Sequence, residues 1–150
     1  METNTGPLAG WDLRKGRARI VGSGRVPICF IAINDVAAFA IAAIDNPKAA
    51  NRNLHITGPE PLSGLDAVAI AERVTGRPFK VQKVPIAVLK IAGAILQPIN
   101  PILASLLATA IGSKQGEAID MEPTLREFGV KPTTFEEYVR LQTGSVGSEA

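Results

Sequence analysis

A second cysteine, a second histidine and any real excess of charge are missing from this sequence, and each absence removes a class of function. Cys29 is the only cysteine, so no internal disulfide can form. Its neighbours Ile28, Phe30 and Ile31 predict a buried thiol in a reducing compartment, the cytoplasm by default. Cys29 and His55 are the only soft or imidazole ligands, no carboxylate spacing completes a set around them, and no metal site is expected. Sixteen basic and 14 acidic residues leave a formal charge of +2, too small and too scattered to mark nucleic acid or an anionic membrane as the partner. The densest basic run, Arg14, Lys15, Arg17 and Arg19, reads as a solvated loop and strand start rather than a phosphate contact. Residues 1–10 show neither the basic stretch nor the apolar run of a secretory signal.

With 150 residues and 46% hydrophobic content, the chain is long enough for one domain with a core, assigned to residues 1–142, followed by a disordered tail at 143–150. "ARIVGSGRVPICFIAI", residues 18–33, holds two apolar stretches around Gly22-Ser23-Gly24 and predicts two strands joined by a hairpin or sharp loop. The second stretch scarcely alternates, the pattern of a strand covered on both faces in a larger sheet. Asn34 and Asp35 are suited to cap a helix over roughly residues 36–45. "NLHIT", 53–57, predicts a short strand ended by Gly58-Pro59. Ser63 with Asp66 resembles a capping box, and Leu65, Val68, Ala69 and Glu72 set up an amphipathic helix that stops at Gly76, followed by Pro78. "FKVQKV", 79–84, predicts a half-exposed edge strand.

From Ile91 to Ile111 there is no charge, over a length that could cross a bilayer. Pro98 and Pro101 would each cost about 3 kcal/mol inside a helix, so two short helices joined at "PINP" are expected. Their apolar surface needs cover, which makes residues 85–111 a candidate for self-association or for contact with a partner or membrane surface. "TLREFGVKPTTFEEYVRLQ" predicts a loop, then a helix begun by Thr133 or Thr134 with Glu136 and Glu137 in its first turn.

Few residues here suggest chemistry. "GSGRVP" starts like a dinucleotide fingerprint, but Pro27 stands at the third glycine and a strand follows where a helix should begin. A tyrosine assisted by a lysine four positions on is absent, since the sole tyrosine, Tyr138, is followed by Gln142. Asp35 and Glu60 read as a helix cap and a turn residue rather than a carboxylate pair. His55 reads as a half-exposed strand residue. No residue of the chain is assigned a catalytic, cofactor-binding or metal-binding role.

The strand leading to Asp35-Val36-Ala37, the segment "NRNLHITGPEPLS", the helix ending in Gly76-Arg77-Pro78 and the late "FGVKPTTFEEYV" resemble the second half of the atypical short-chain dehydrogenase/reductases, in particular the NmrA-like NAD(P)-binding proteins. The resemblance covers residues 22–84 and 125–140. It implies an α/β architecture: the C-terminal portion of a Rossmann-like fold, with few strands and about five helices, lacking the N-terminal βαβ units that bind the dinucleotide. It implies NAD(P) and a small-molecule substrate for a full-length parent, either an oxidoreductase or a redox sensor, and no cofactor for this chain alone. Trp11 and Arg25 are candidates to line the substrate pocket, each with a plainer role as packing anchor and solvated turn residue.

Overall fold

A computed structural model describes residues 1–6, 9–44, 46–112 and 122–144. Strand β1 (Arg17–Val21) alternates exposed and buried positions, with Ala18 and Ile20 turned into the core. Its partner is the distant β4 (Lys80–Val84), which runs parallel to it in the register Arg17↔Lys80 to Val21↔Val84. A parallel pair cannot be closed by a hairpin. Helices α2 (Ile33–Ile44) and α3 (Gly64–Thr75) lie in the connection between the two strands. Among the described residues β4 pairs on one side only and is exposed at most positions, the edge strand its alternation predicts.

Gly22 and Gly24 both take positive φ, 71° and 70°, making the sharp reversal after β1. The chain does not return on β1 as a hairpin. Instead β2 (Ile28–Cys29) pairs antiparallel with β3 (Pro61–Leu62). The two-sided strand expected at 28–33 therefore shrinks to two ladder residues, bounded by Pro27 and opposite Pro61, neither of which has an N–H to extend a ladder. Phe30 and Ala32, each 4% exposed, still face the core. Cys29 is only half-buried.

α2 begins at Ile33, earlier than its sequence suggests, because Glu2 on the unforeseen short helix α1 (Glu2–Thr5) accepts the Ile33 N–H at 3.1 Å. Asn34 and Asp35 are thus inside the helix rather than its cap. The Asp35 carboxylate turns away to accept the N–H and the hydroxyl of Thr133, both at 2.8 Å. Residues 53–57 form no ladder. At Gly58 a Cβ would stand 1.8 Å from the Phe30 carbonyl oxygen, so this segment is pressed over the Phe30 backbone instead of pairing as a strand.

α3 carries the expected capping box between Ser63 and Asp66 and ends at Gly76 with φ 64°. Its buried face is centred on Ala67, Val68 and Ala71, one position round from the predicted one, leaving Ala69 exposed. α4 (Ile86–Leu96) and α5 (Pro101–Gly112) pack on each other across the proline-containing break, where Asn100 Oδ1 accepts the Leu103 N–H at 3.1 Å. Helix α6 (Glu122–Phe128) replaces the expected loop; Pro123, in its first turn, loses nothing by lacking an N–H there. α7 (Phe135–Thr143) is opened by a second capping box, Thr134 with Glu137, and closed by Gly144. Thr143 and Gly144 thus complete a helix, and the rest of the expected tail lies outside the described residues.

The core forms where α3, α7 and β1 meet the residues after β2. Phe135 and Val139 are fully buried, and the Phe135 ring lies 5.6 Å from Phe30 and 6.1 Å from Tyr138. Outside it, Glu136 joins Arg73 of α3 to Arg140 of its own helix.

Candidate functional site

The side of β1 and β4 that faces away from the core is a polar surface. Register and alternation together place Arg17, Arg19, Lys80 and Gln82 on it, with Ala18 and Ile20 on the opposite side. A cavity of about 450 Å³, open to solvent, lies here, lined by Gly10, Trp11, Asp12, Arg17, Ala18, Arg19, Lys80 and Gln82. Trp11 forms a buried wall, and its indole N–H donates to the Arg19 carbonyl at 2.9 Å. Gly10, at φ +81°, lets the Arg19 side chain lie against the backbone, where a Cβ would meet three of its atoms at 3.0 Å. Asp12 and Arg17 exchange backbone hydrogen bonds at 2.8 and 3.0 Å, and the Asp12 carboxylate accepts the Lys15 N–H at 2.9 Å. Trp11 is thus both a packing anchor and a cavity wall. Arg25 is not brought to it: it is exposed in the loop after Gly24, its N–H donated to Ser23 Oγ at 3.3 Å.

The other reactive groups do not join this surface. Burial pushes the Tyr138 phenol up, with a hydrogen bond to Thr5 pulling the other way. Asp35 holds Thr133, and Glu60 faces a smaller cavity beside Arg73, Thr134 and Glu136, so the two carboxylates do not form a pair. His55 is exposed. Among the described residues no group of three His, Cys, Asp or Glu is placed to hold a metal ion.

Four of the helix starts, where backbone N–H groups would otherwise attract an anion, are occupied by the chain's own side-chain oxygens, while α4 opens at Pro85 with no side-chain cap. Glu2 serves α2, Ser63 and Asp66 α3, Asn100 α5, and Thr134 and Glu137 α7. Their carboxyls respond. Hydrogen bonds from the Ser63 hydroxyl and N–H hold Asp66 below the usual carboxylate range, and those from Thr134 do the same for Glu137. At Glu2 burial acts upward, but the N–H groups of Glu2 and Ile33 and the terminal ammonium outweigh it and leave the carboxyl lowered. The glycine turn is equally committed. It leads from β1 to β2, not into a helix, and a Cβ at Gly24 would come within 2.6 Å of Ile20 Cγ2.

Sequence reasoning singled out Trp11 but missed the grouping of Arg17 and Arg19 with Lys80. The i, i+2 spacing of the two arginines on a strand was the available signal; the pairing of β1 with β4 across some sixty positions had none.

The NmrA-like family profile matches residues 12–139. Among curated proteins, the photosystem II assembly factor Ycf39 of Synechocystis is 24% identical over 127 residues, covering 80% of this chain and 39% of that protein. The isoflavone reductase homolog IRL of Zea mays is 32% identical over 130 residues, covering 82% and 42%. Among solved structures, the NADPH-dependent quinone oxidoreductase of Escherichia coli superposes with a TM-score of 0.66 at 21% identity, over 94% of this chain and 50% of that one. The chain spans about two fifths of the length of these curated relatives, and its elements form part of a Rossmann-like α/β fold. On the family match, this chain belongs to the NmrA-like family.

Proposed function

We propose that this chain supplies the substrate-side part of an NmrA-like, NAD(P)-dependent oxidoreductase or redox-sensing protein acting on a small molecule, and that alone it does not hold the dinucleotide. One observation carries the reading: the chain superposes on half of an NADPH-dependent reductase, while its glycine turn and the starts of α2, α3, α5 and α7 are engaged in its own packing. That turn and those four helix starts do not fit a pyrophosphate, which needs glycines and free N–H groups converging at a helix start. Trp11, which walls the cavity on the β1–β4 face, is proposed to face the substrate, and Arg25, which lies apart from that cavity, is not. The half-buried free thiol of Cys29 fits a reducing compartment such as the cytoplasm, and no helix among the described residues is long and apolar enough to cross a membrane.

A chimera tests the reading. When residues 12–139 replace the superposing portion of the E. coli quinone oxidoreductase, the folded product is expected to bind NADPH and to change its preference among quinones. Binding without turnover would support the sensing form. A folded chimera that does not bind NADPH would count against the proposal.

A second reading concerns association. Val88, Ile91, Ile95, Ile99, Ile102 and Leu103 of the α4–α5 hairpin and its break are 41–76% exposed. They present on the order of 600 Å² of apolar surface, near the ~800 Å² per partner of a standard interface. We propose that a second copy of the chain covers it. Sedimentation is expected to show a dimer that Ile91→Lys with Ile102→Lys converts to monomer; a monomer for the unsubstituted chain at high concentration would refute this.

A further inference from the structure

We propose that the outer face of the β1–β4 pair is a binding site for a phosphate-bearing small molecule, held by Arg17, Arg19 and Lys80. Three observations converge on it. First, the parallel register sets Arg17 directly opposite Lys80, with Arg19 two positions along the same face. Like charges facing each other across a ladder destabilise a sheet, so this arrangement gains nothing for the fold itself. Second, none of the three cations has an ion-pair partner among the described residues, whereas Arg52, Arg73 and Arg140 are each paired with a glutamate. Asp12, the acid nearest the group, is bound to Lys15 at 3.7 Å and to the Lys15 N–H. Third, the cations surround a cavity of about 450 Å³ rather than a flat surface, and Arg19 is held in place by Gly10 beneath its side chain and by the Trp11 indole on its carbonyl.

Two planar guanidinium forks and one ammonium suit a tetrahedral dianion, because arginine presents paired N–H donors to oxyanions and lysine adds a point charge. Gln82, on the same face, adds an amide donor. The basic run that sequence alone reads as solvated is thus divided by the strand. Lys15 leaves to pair with Asp12, and Arg17 and Arg19 join Lys80 from the far end of the crossover. The inference is independent of the dinucleotide reading: phosphate binding by the isolated chain without NADPH binding in the chimera, or the reverse, separates the two.

The chain is titrated with inorganic phosphate and with phenyl phosphate, against sodium chloride at matched ionic strength, following the fluorescence of the single tryptophan, Trp11, and the heat of binding. A saturable response to phosphate but not to chloride is expected. Equal affinity for the two probes would assign the site to free phosphate, and tighter binding of phenyl phosphate to an organic monoester. Arg19→Gln and Lys80→Gln should each weaken phosphate binding about fivefold, the effect of losing one partly exposed charge contact. Lys83→Gln, on the same strand but facing the other way, should leave it unchanged. Far-UV circular dichroism checks that each variant folds, and the Lys80 variant alone suffices if the Arg19 variant does not. No saturable response to either probe, or equal affinity in all three variants, would overturn the proposal.

Discussion

Replacing Asp35 by alanine should destabilise the fold by about 3 kcal/mol. The carboxylate is 6% exposed and accepts the N–H and the hydroxyl of Thr133 at 2.8 Å each, tying the first turn of α2 to the residue before the α7 cap, 98 positions away. Hydrogen bonds to a charged group contribute about 1.5–3 kcal/mol each, and the alanine variant leaves both Thr133 donors without their acceptor in a partly buried site. Two full bonds would give more than 3 kcal/mol, but water can reach part of the site in the variant, which sets the estimate near the lower end. In a chain of this length that lowers the thermal midpoint by about 6–12 °C. Thr133→Val removes only the hydroxyl bond and should cost about 1 kcal/mol. Urea unfolding followed by Trp11 fluorescence, with the slope checked for constancy, measures each variant. The double variant should be less destabilised than the sum of the singles, by about 1 kcal/mol, since both remove the same hydroxyl bond. An Asp35→Ala loss below about 0.5 kcal/mol, or strict additivity, would refute the claim that this clasp holds the two helices together.

Three glycines should respond differently to alanine. Gly58→Ala drives a Cβ into the Phe30 backbone and should cost about 3 kcal/mol or more. Gly76→Ala meets no atom but must hold φ 64°, for about 1 kcal/mol. Gly93→Ala, inside α4 with open space around it, should stabilise by roughly 0.5–1 kcal/mol; thermal midpoints in any other order would contradict the packing described. Asp66 and Glu137 have lowered pKa values in the fold, so the stability they add is fully present above their unfolded value of about 4, and is lost as pH falls through the lower folded value. The urea midpoint should therefore stay level from neutral pH to about pH 5 and decline below about pH 4. Asp66→Asn with Glu137→Gln should flatten that decline, and an unchanged acid limb would show that other groups cause it.

The parts legible in the sequence are those decided within a few residues. Ser63 with Asp66 and Thr134 with Glu137 announce two helix starts by contacts three positions apart, Gly76 announces a stop, and Pro98 with Pro101 divides the uncharged run into two helices. What long-range geometry decides is not legible. The apolar composition of residues 28–33 is real and most of it is covered, yet the ladder is cut to Ile28 and Cys29 because its partner carries Pro61. The α2 start is supplied by Glu2, more than thirty positions upstream, and the Lys80 contribution to the cationic face depends on a parallel pairing that no local pattern encodes. The family resemblance rested on local motifs, which is why it survived while two predicted strands were shortened or lost.

The central proposal is that, with the glycine turn at Gly22–Gly24 and the starts of α2, α3, α5 and α7 engaged in the chain's own structure, a dinucleotide is held by other residues. Calorimetric titration of the purified chain with NADPH tests it most directly. No saturable heat is expected at micromolar concentrations; one-to-one binding in that range that is displaced by NADP⁺ and unchanged by Lys80→Gln, so not due to the phosphate-binding face, would contradict the proposal.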